Sequence, residues 1–199
     1  MTALNGKILD EALGILGERL QFKGADPVRL VVCGGSALIA LNLVTRSTND
    51  VDVVAMVSEN GELFSPVPFP EILAEAVDEV ATLLELQTDW LNYGPSSNSG
   101  GLFQTGLPDG LLQRAHQSEY GDYLQVFFID RRDQVFFKVF AAADRLGVHV
   151  DDLVALNPTS EEMEAAALWC ITHDPSDGFR GILISMFKEL GYEDAAKRL

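Results

Sequence analysis

The sequence has few basic residues and few cysteines. It carries 14 Lys and Arg residues against 30 Asp and Glu residues, which gives a formal net charge of −16 at pH 7 over 199 residues. This excess of negative charge repels nucleic-acid phosphates and argues against unspecific binding to DNA. The two cysteines, Cys33 and Cys170, show no spacing typical of a disulfide framework or a zinc site. We therefore expect both thiols to be structural.

Long apolar runs are also missing. The longest ones are the size of a strand, and no basic segment followed by a hydrophobic one opens the sequence. We therefore expect a cytoplasmic protein that does not bind membranes. Since 47% of the residues are hydrophobic, the chain can still form a substantial buried core.

Hydrophobic periodicity predicts strands in the first two-thirds of the chain and helices in the last third, which favours an α+β fold with a mixed sheet flanked by helices. We predict a core over 1–133 that includes an N-terminal helix, and a C-terminal helical region over 134–199. Residues 87–110 are rich in turn formers and are expected to be irregular. The predicted elements are helices over 7–21, 36–43 and 70–86, strands over 29–33, 51–57, 111–117 and 123–129, and three later helices, one opened by a capping box at Thr159 to Glu162.

A glycine pair follows the first predicted strand. The apolar run that ends at Cys33 continues into Gly34, Gly35 and Ser36, a pattern typical of a strand that turns sharply into a helix. The first turn of a helix has free backbone N–H groups that can hold an anion, and glycine lets a phosphate approach the backbone. The alternative is a tight turn without a ligand. The pattern predicts a phosphate site.

Two aspartates accompany the next predicted strand. Asp50 and Asp52 are two residues apart in a β-branched run, so in a strand both carboxylates leave the same face, about 6–7 Å apart along the chain. Aspartate is disfavoured in strands, and two on one face repel each other, so a solvent-facing strand end explains them less well than a metal site does. Carboxylates beside a phosphate-binding turn suit Mg²⁺ and nucleotidyl transfer.

Together these motifs resemble the DNA polymerase β-like nucleotidyltransferase superfamily. Gly34-Gly35-Ser36 precedes Arg46, Thr48 and the Asp50-Val51-Asp52 motif in the order typical of that superfamily. With Lys138, Asp144-Arg145 and Asp151-Asp152-Leu153 added, the sequence is more closely similar to bacterial nucleotidyltransferase-like proteins of the AbiEii toxin type. The resemblance covers about residues 29 to 157.

The resemblance implies a role for each motif residue. Gly34, Gly35, Ser36 and Arg46 would bind the nucleotide, Asp50 and Asp52 would bind Mg²⁺, and Lys138 would meet the triphosphate. The superfamily usually has a third carboxylate on a neighbouring strand; Asp130, which follows an apolar strand, is preferred to Asp89. The alternative for Lys138 is a structural role, in which its aliphatic stem packs past the aromatic neighbours and its ammonium reaches water. The remaining charges are interpreted as ordinary helix-end and loop charges: Asp144, Arg145, His149, Asp151 and Asp152.

We therefore expect an enzyme that transfers a nucleotide from an NTP to an acceptor with Mg²⁺. The acceptor could be a small molecule, a protein side chain or a tRNA end, and the sequence does not choose among them. The alternative is a catalytically inactive member that binds a nucleotide or a protein, as one half of a toxin–antitoxin-like pair. A homodimer without a ligand is a third possibility.

Overall fold

The computed structural model describes residues 2–97, 101–145 and 147–199. The chain divides into two compact units, Met1–Ile129 and Asp130–Leu199. The first unit contains α1 (Gly6–Phe22), β1 (Val28–Cys33), α2 (Gly34–Ala40), β2 (Val51–Val57), β3 (Leu63–Phe64), α3 (Glu71–Leu84), β4 (Leu91–Asn92), a 3₁₀ turn (Gly94–Ser96), α4 (Leu102–Thr105), α5 (Leu111–Arg114), β5 (His116–Glu119) and β6 (Leu124–Phe128). None of the described helices is long and apolar enough to cross a membrane.

The strands of the first unit form one mixed sheet in the order β3-β2-β1-β6-β5, and β4 also pairs with β2. β1 is antiparallel to β2 and parallel to β6. On its outer edge, β2 pairs with β3 near its end and with β4 at its start. The predicted α+β fold is confirmed, because helices flank this mixed sheet and a helical region follows it.

One face of the sheet packs against the hydrophobic core, and the opposite face carries Asp52. Val51 and Val53 of β2 belong to the main hydrophobic core, together with residues of α1 and α3. Because neighbouring side chains in a strand point to opposite faces, Asp52 lies on the face away from that core. The sheet thus keeps an aspartate half-buried while its neighbours are fully buried.

The structure differs from the prediction at residues 111–117 and at the start of the helix that follows β1. Residues 111–117 are not a single strand: α5 occupies Leu111–Arg114, and β5 begins only at His116. Gly110 has a left-handed backbone with φ +73°, and Arg114 donates from Nη2 to the Asp109 carbonyl at 2.8 Å, so the turn continues into a short helix. α2 starts at Gly34 rather than Ser36. Residues 98–100 of the expected irregular segment lie outside the described residues.

The second unit is helical, with α6 (Arg131–Arg145), α7 (Val148–Leu156), α8 (Ser160–His173), α9 (Asp177–Glu189) and α10 (Glu193–Arg198). The predicted capping box is present: Glu162 donates its backbone N–H to Thr159 Oγ1, and Thr159 donates its backbone N–H to the Glu162 carboxylate. Arg131 joins three helices, since it donates to the Leu156 carbonyl and to Glu162. Its guanidinium lowers the pKa of Glu162.

The contact between α1 and the β5–β6 turn gives a stability prediction. A Cβ added at Gly17 would overlap the Tyr120 carbonyl oxygen, whereas one added at Gly14 of the same helix meets no described atom within 4 Å. We expect Gly17→Ala to destabilise the protein by about 1–3 kcal/mol through overpacking. Gly14→Ala should instead stabilise it by up to about 1 kcal/mol, because alanine is the better helix former. Urea unfolding of both variants checks this, and a Gly17→Ala variant as stable as Gly14→Ala would contradict the observed approach.

Candidate functional site

The Gly34 end of the site is built by the pairing of β1 with β2. The antiparallel register places Cys33 beside Asp52, so the start of β2 lies against the residue at which β1 ends. Gly34 begins α2 with φ +72°, and a Cβ at this position would lie 2.7 Å from Asp52 Oδ2. Only glycine fits both the backbone conformation and the nearby carboxylate. The predicted turn and one of the predicted aspartates are therefore neighbours.

Gly35 faces the loop that leads to β2. A Cβ at Gly35 would lie 2.9 Å from Arg46 Nη2 and 2.9 Å from Thr48 Oγ1. The guanidinium and the hydroxyl therefore lie directly over the glycine backbone. An arginine is well suited to bind phosphate because its planar group presents several N–H donors. The predicted nucleotide-binding residue Arg46 thus lies at the predicted turn.

The loop between α2 and β2 is fixed by backbone and side-chain hydrogen bonds. Thr48 and Leu4 form an isolated bridge in which each backbone N–H donates to the other residue's carbonyl, at 2.8 and 2.9 Å. Leu4 is fully buried, so the loop is anchored to the core. Thr48 Oγ1 then donates to Asp50 Oδ1 at 3.0 Å. This bond orients the Asp50 carboxylate and links it to the residues above Gly35.

Ser36 occupies a different environment from that of the glycines. Its side chain is fully buried, and its hydroxyl donates to the Cys33 carbonyl at 3.4 Å. The hydroxyl is thus bonded within the turn that joins β1 to α2. In this conformation the structure gives Ser36 a local structural bond, while Gly34 and Gly35 lie against the charged side chains.

The two aspartates are both half-buried, but their backbone settings differ. Asp50 precedes β2, so the strand alternation used to predict a shared face applies only to Asp52. Mg²⁺ is commonly held by one or two carboxylates and takes its other ligands from substrate phosphates and water. Asp50, which is bonded to Thr48, and Asp52, which lies against Gly34, supply two such carboxylates. Within the described ranges, no group of three or more His, Cys, Asp and Glu side chains is arranged to hold a metal ion.

Asn92, which was not among the predicted site residues, lies next to Asp52: the sequence favoured a core role for the Trp90-Leu91 segment that it follows. β4 runs parallel to the start of β2, in a register that pairs Asp52 with Asn92. The strand has only two residues and lies inside the segment that was expected to be irregular. Its one sequence signal is the apolar pair Trp90-Leu91 directly before Asn92, and both of those residues are buried.

Lys138 and Asp130 belong to the second unit. The Lys138 ammonium donates to Asp152 Oδ2 at 2.7 Å, and the two side chains are 5% and 2% exposed. The interpretation of Asp152 as an ordinary surface charge is therefore wrong, and the lysine does not extend to water past its aromatic neighbours. Asp130 is the first residue of this unit and directly follows Ile129, whose backbone N–H donates to the Val32 carbonyl at 3.0 Å.

Comparison with known proteins gives one finding, and it covers the site of the first unit. No curated protein and no solved structure matches the chain. Residues 12–95, which run from α1 to the 3₁₀ turn and include Gly34, Asp52 and Asn92, match a family described as a nucleotidyltransferase of unknown function (DUF6036). Over these residues the chain is similar to that family.

Proposed function

We propose that the protein transfers a nucleotide from an NTP to an acceptor in a Mg²⁺-dependent reaction. The observation that carries the proposal is the packing of the Gly34-Gly35 turn against Asp52 on one side and Arg46 and Thr48 on the other. The family match over residues 12–95 supports the same reaction class.

The phosphate part of the site consists of the glycine turn and Arg46. Because Gly34 and Gly35 have no side chains, Asp52 and Arg46 approach the backbone of the turn closely, and the Arg46 guanidinium brings charged N–H donors to it. Arg46 also donates from Nη1 to the Ser47 carbonyl at 2.9 Å, which restrains the guanidinium. A restrained donor loses less conformational freedom when it binds a ligand.

The carboxylates Asp50 and Asp52 would hold the metal. Bound there, Mg²⁺ supplies positive charge that stabilises the transferring phosphoryl group. Thr48 contributes by donating to Asp50 Oδ1, which orients this carboxylate. The proposed site consists of residues of the first unit, so the roles that the resemblance implies for Asp130 and Lys138 are not part of it. The Lys138 side chain is 5% exposed, and its ammonium is paired with Asp152.

A thermal melt with Mg²⁺ and each of the four NTPs tests the metal site. Ligand binding to the folded state should raise the Tm of the unchanged protein by mass action. The double substitution Asp50→Asn with Asp52→Asn should abolish the rise. Asp26→Asn with Asp78→Asn is the matched control, because these two exposed aspartates give the same change in charge.

Two outcomes would change the proposal. If the Asp50 and Asp52 double variant keeps the full rise in Tm, these carboxylates are not the metal site. If the unchanged protein shows the rise but transfers no radiolabel from any NTP to small molecules, proteins or tRNA, the binding-only alternative of a toxin–antitoxin-like pair is supported instead.

A further inference from the structure

We propose that Asn92 binds a ribose hydroxyl of the nucleotide, so that the site prefers ribonucleotides to their deoxy analogues. The inference rests on the proposed function and adds a substrate class to it. Asn92 is not among the residues that the sequence motifs indicate, and its place in the fold carries the argument.

The position of Asn92 follows from the pairing of β4 with β2. The parallel register sets Leu91 beside Val51 and Asn92 beside Asp52. Leu91 and Val51 are both part of the main core. Alternation along each strand therefore puts Asn92 and Asp52 together on the opposite face of the sheet. Paired strands lie about 4.8 Å apart, so Asn92 and Asp52 are neighbouring residues on that face.

The Asn92 side chain is held in one orientation. Its Oδ1 accepts from the Gly94 backbone N–H at 2.7 Å, and its Nδ2 donates to the Asp89 carbonyl at 3.4 Å. Among the described residues these are its side-chain hydrogen bonds, which leaves one N–H of Nδ2 and one lone pair of Oδ1. A ribose hydroxyl both donates and accepts, so it matches the two remaining groups.

The order of the strands places the sugar at Asn92. β1, β2 and β4 lie side by side, with Cys33 paired to Asp52 and Asp52 paired to Asn92, and Gly34 directly follows Cys33. Two strand spacings separate Gly34 from Asn92, about 10 Å across the sheet. With the terminal phosphates at the glycine turn and the α-phosphate at Asp52, the next group of the nucleotide is the ribose. It then lies on the side of Asp52 where Asn92 is found.

The test is titration calorimetry with Mg²⁺ and ATP, GTP, CTP and UTP, each compared with its 2′-deoxy and 3′-deoxy forms. One neutral hydrogen bond corresponds to about a 3- to 10-fold difference in Kd, which we expect between a ribonucleotide and one of its deoxy forms. Asn92→Ala should remove this difference by weakening the ribonucleotide alone. Asn60→Ala, in the exposed turn after β2, is the matched control and should keep the difference.

A second variant guards against a local folding defect, since Asn92→Ala also loses the bond to the Gly94 N–H. Asn92→Ser keeps an oxygen that can accept in such a turn, but its side chain is one atom shorter. It should lose the same discrimination while melting like the unchanged protein. Binding without discrimination in the unchanged protein, or discrimination kept in both Asn92 variants, overturns the inference alone. Failure of every nucleotide to bind overturns it together with the proposed function.

Discussion

Lys138→Met is expected to lower the free energy of unfolding by about 3–5 kcal/mol, since it removes one partner of a buried ion pair. The ammonium donates to Asp152 Oδ2 at 2.7 Å, and neither side chain is more than 5% exposed. Methionine retains most of the lysine stem, so lost packing contributes little. The main cost is the buried Asp152 carboxylate, which would lose the Lys138 ammonium.

Two further variants separate the pair from a general effect of charge. Lys138→Met with Asp152→Leu removes both charges and should recover most of the lost stability, because a buried pair is often replaceable by apolar groups. Lys197→Met breaks the ion pair between Lys197 and Asp194, whose side chains are 71% and 76% exposed. Loss of this exposed pair should lower the free energy of unfolding by less than about 1 kcal/mol. Urea unfolding of the three variants measures these differences, and a Lys138→Met loss no larger than that of Lys197→Met would contradict the expectation.

The double variant Lys138→Met with Asp152→Leu also tests the role in nucleotide transfer that the resemblance implies for Lys138. If the lysine only stabilises the second unit, the double variant folds and shows the normal rise in Tm with Mg²⁺ and NTP, with unchanged transfer. If the ammonium also offsets charge on the leaving group, transfer falls sharply although the double variant is folded. Folding and chemistry are thereby measured apart.

The part of the fold that could be predicted from sequence depends on strong local signals. The strand over 51–57 is an apolar run interrupted by Asp52 and bounded by polar residues, and its predicted bounds agree with β2. The helix opened by Thr159 was predicted because its capping box is a local pattern of side-chain and backbone bonds. Gly34 and Asp52 are far apart in the sequence but close in the structure. Hydrophobic periodicity does not predict such a contact, and the two residues were assigned to one site through the family resemblance.

The features that sequence reasoning missed depend on contacts between distant residues. Asp152 lies in a run of charged and apolar residues typical of an exposed helix end, but in the structure it is buried and paired with Lys138. Asn92 belongs to a strand of two residues, too short for an alternation pattern, which exists because β2 offers a free edge at Asp52. At Leu111 the apolar pattern favoured a strand, but the conformation of Gly110 begins a helical turn.

Gly34→Ala is expected to weaken the binding of Mg²⁺ with NTP at least about tenfold, because it moves a carboxylate that would bind the metal. The new methyl group would lie 2.7 Å from Asp52 Oδ2, closer than such atoms approach each other, so the Asp52 side chain must rotate away. The positive φ of +72° adds a backbone cost of about 1–2 kcal/mol for any residue with a Cβ.

Gly24→Ala separates the effect on the site from the backbone strain. Gly24 also has a positive φ, +66°, but a Cβ there meets no described atom within 4 Å. Both variants should therefore lose a similar amount of stability in urea, since both place alanine in the left-handed region. Only Gly34→Ala should lose affinity in titration calorimetry with Mg²⁺ and NTP, because only this substitution displaces Asp52. If the two variants bind equally well, the close approach of Asp52 to the turn has no part in metal or nucleotide binding, and the assignment of the turn to the site is wrong.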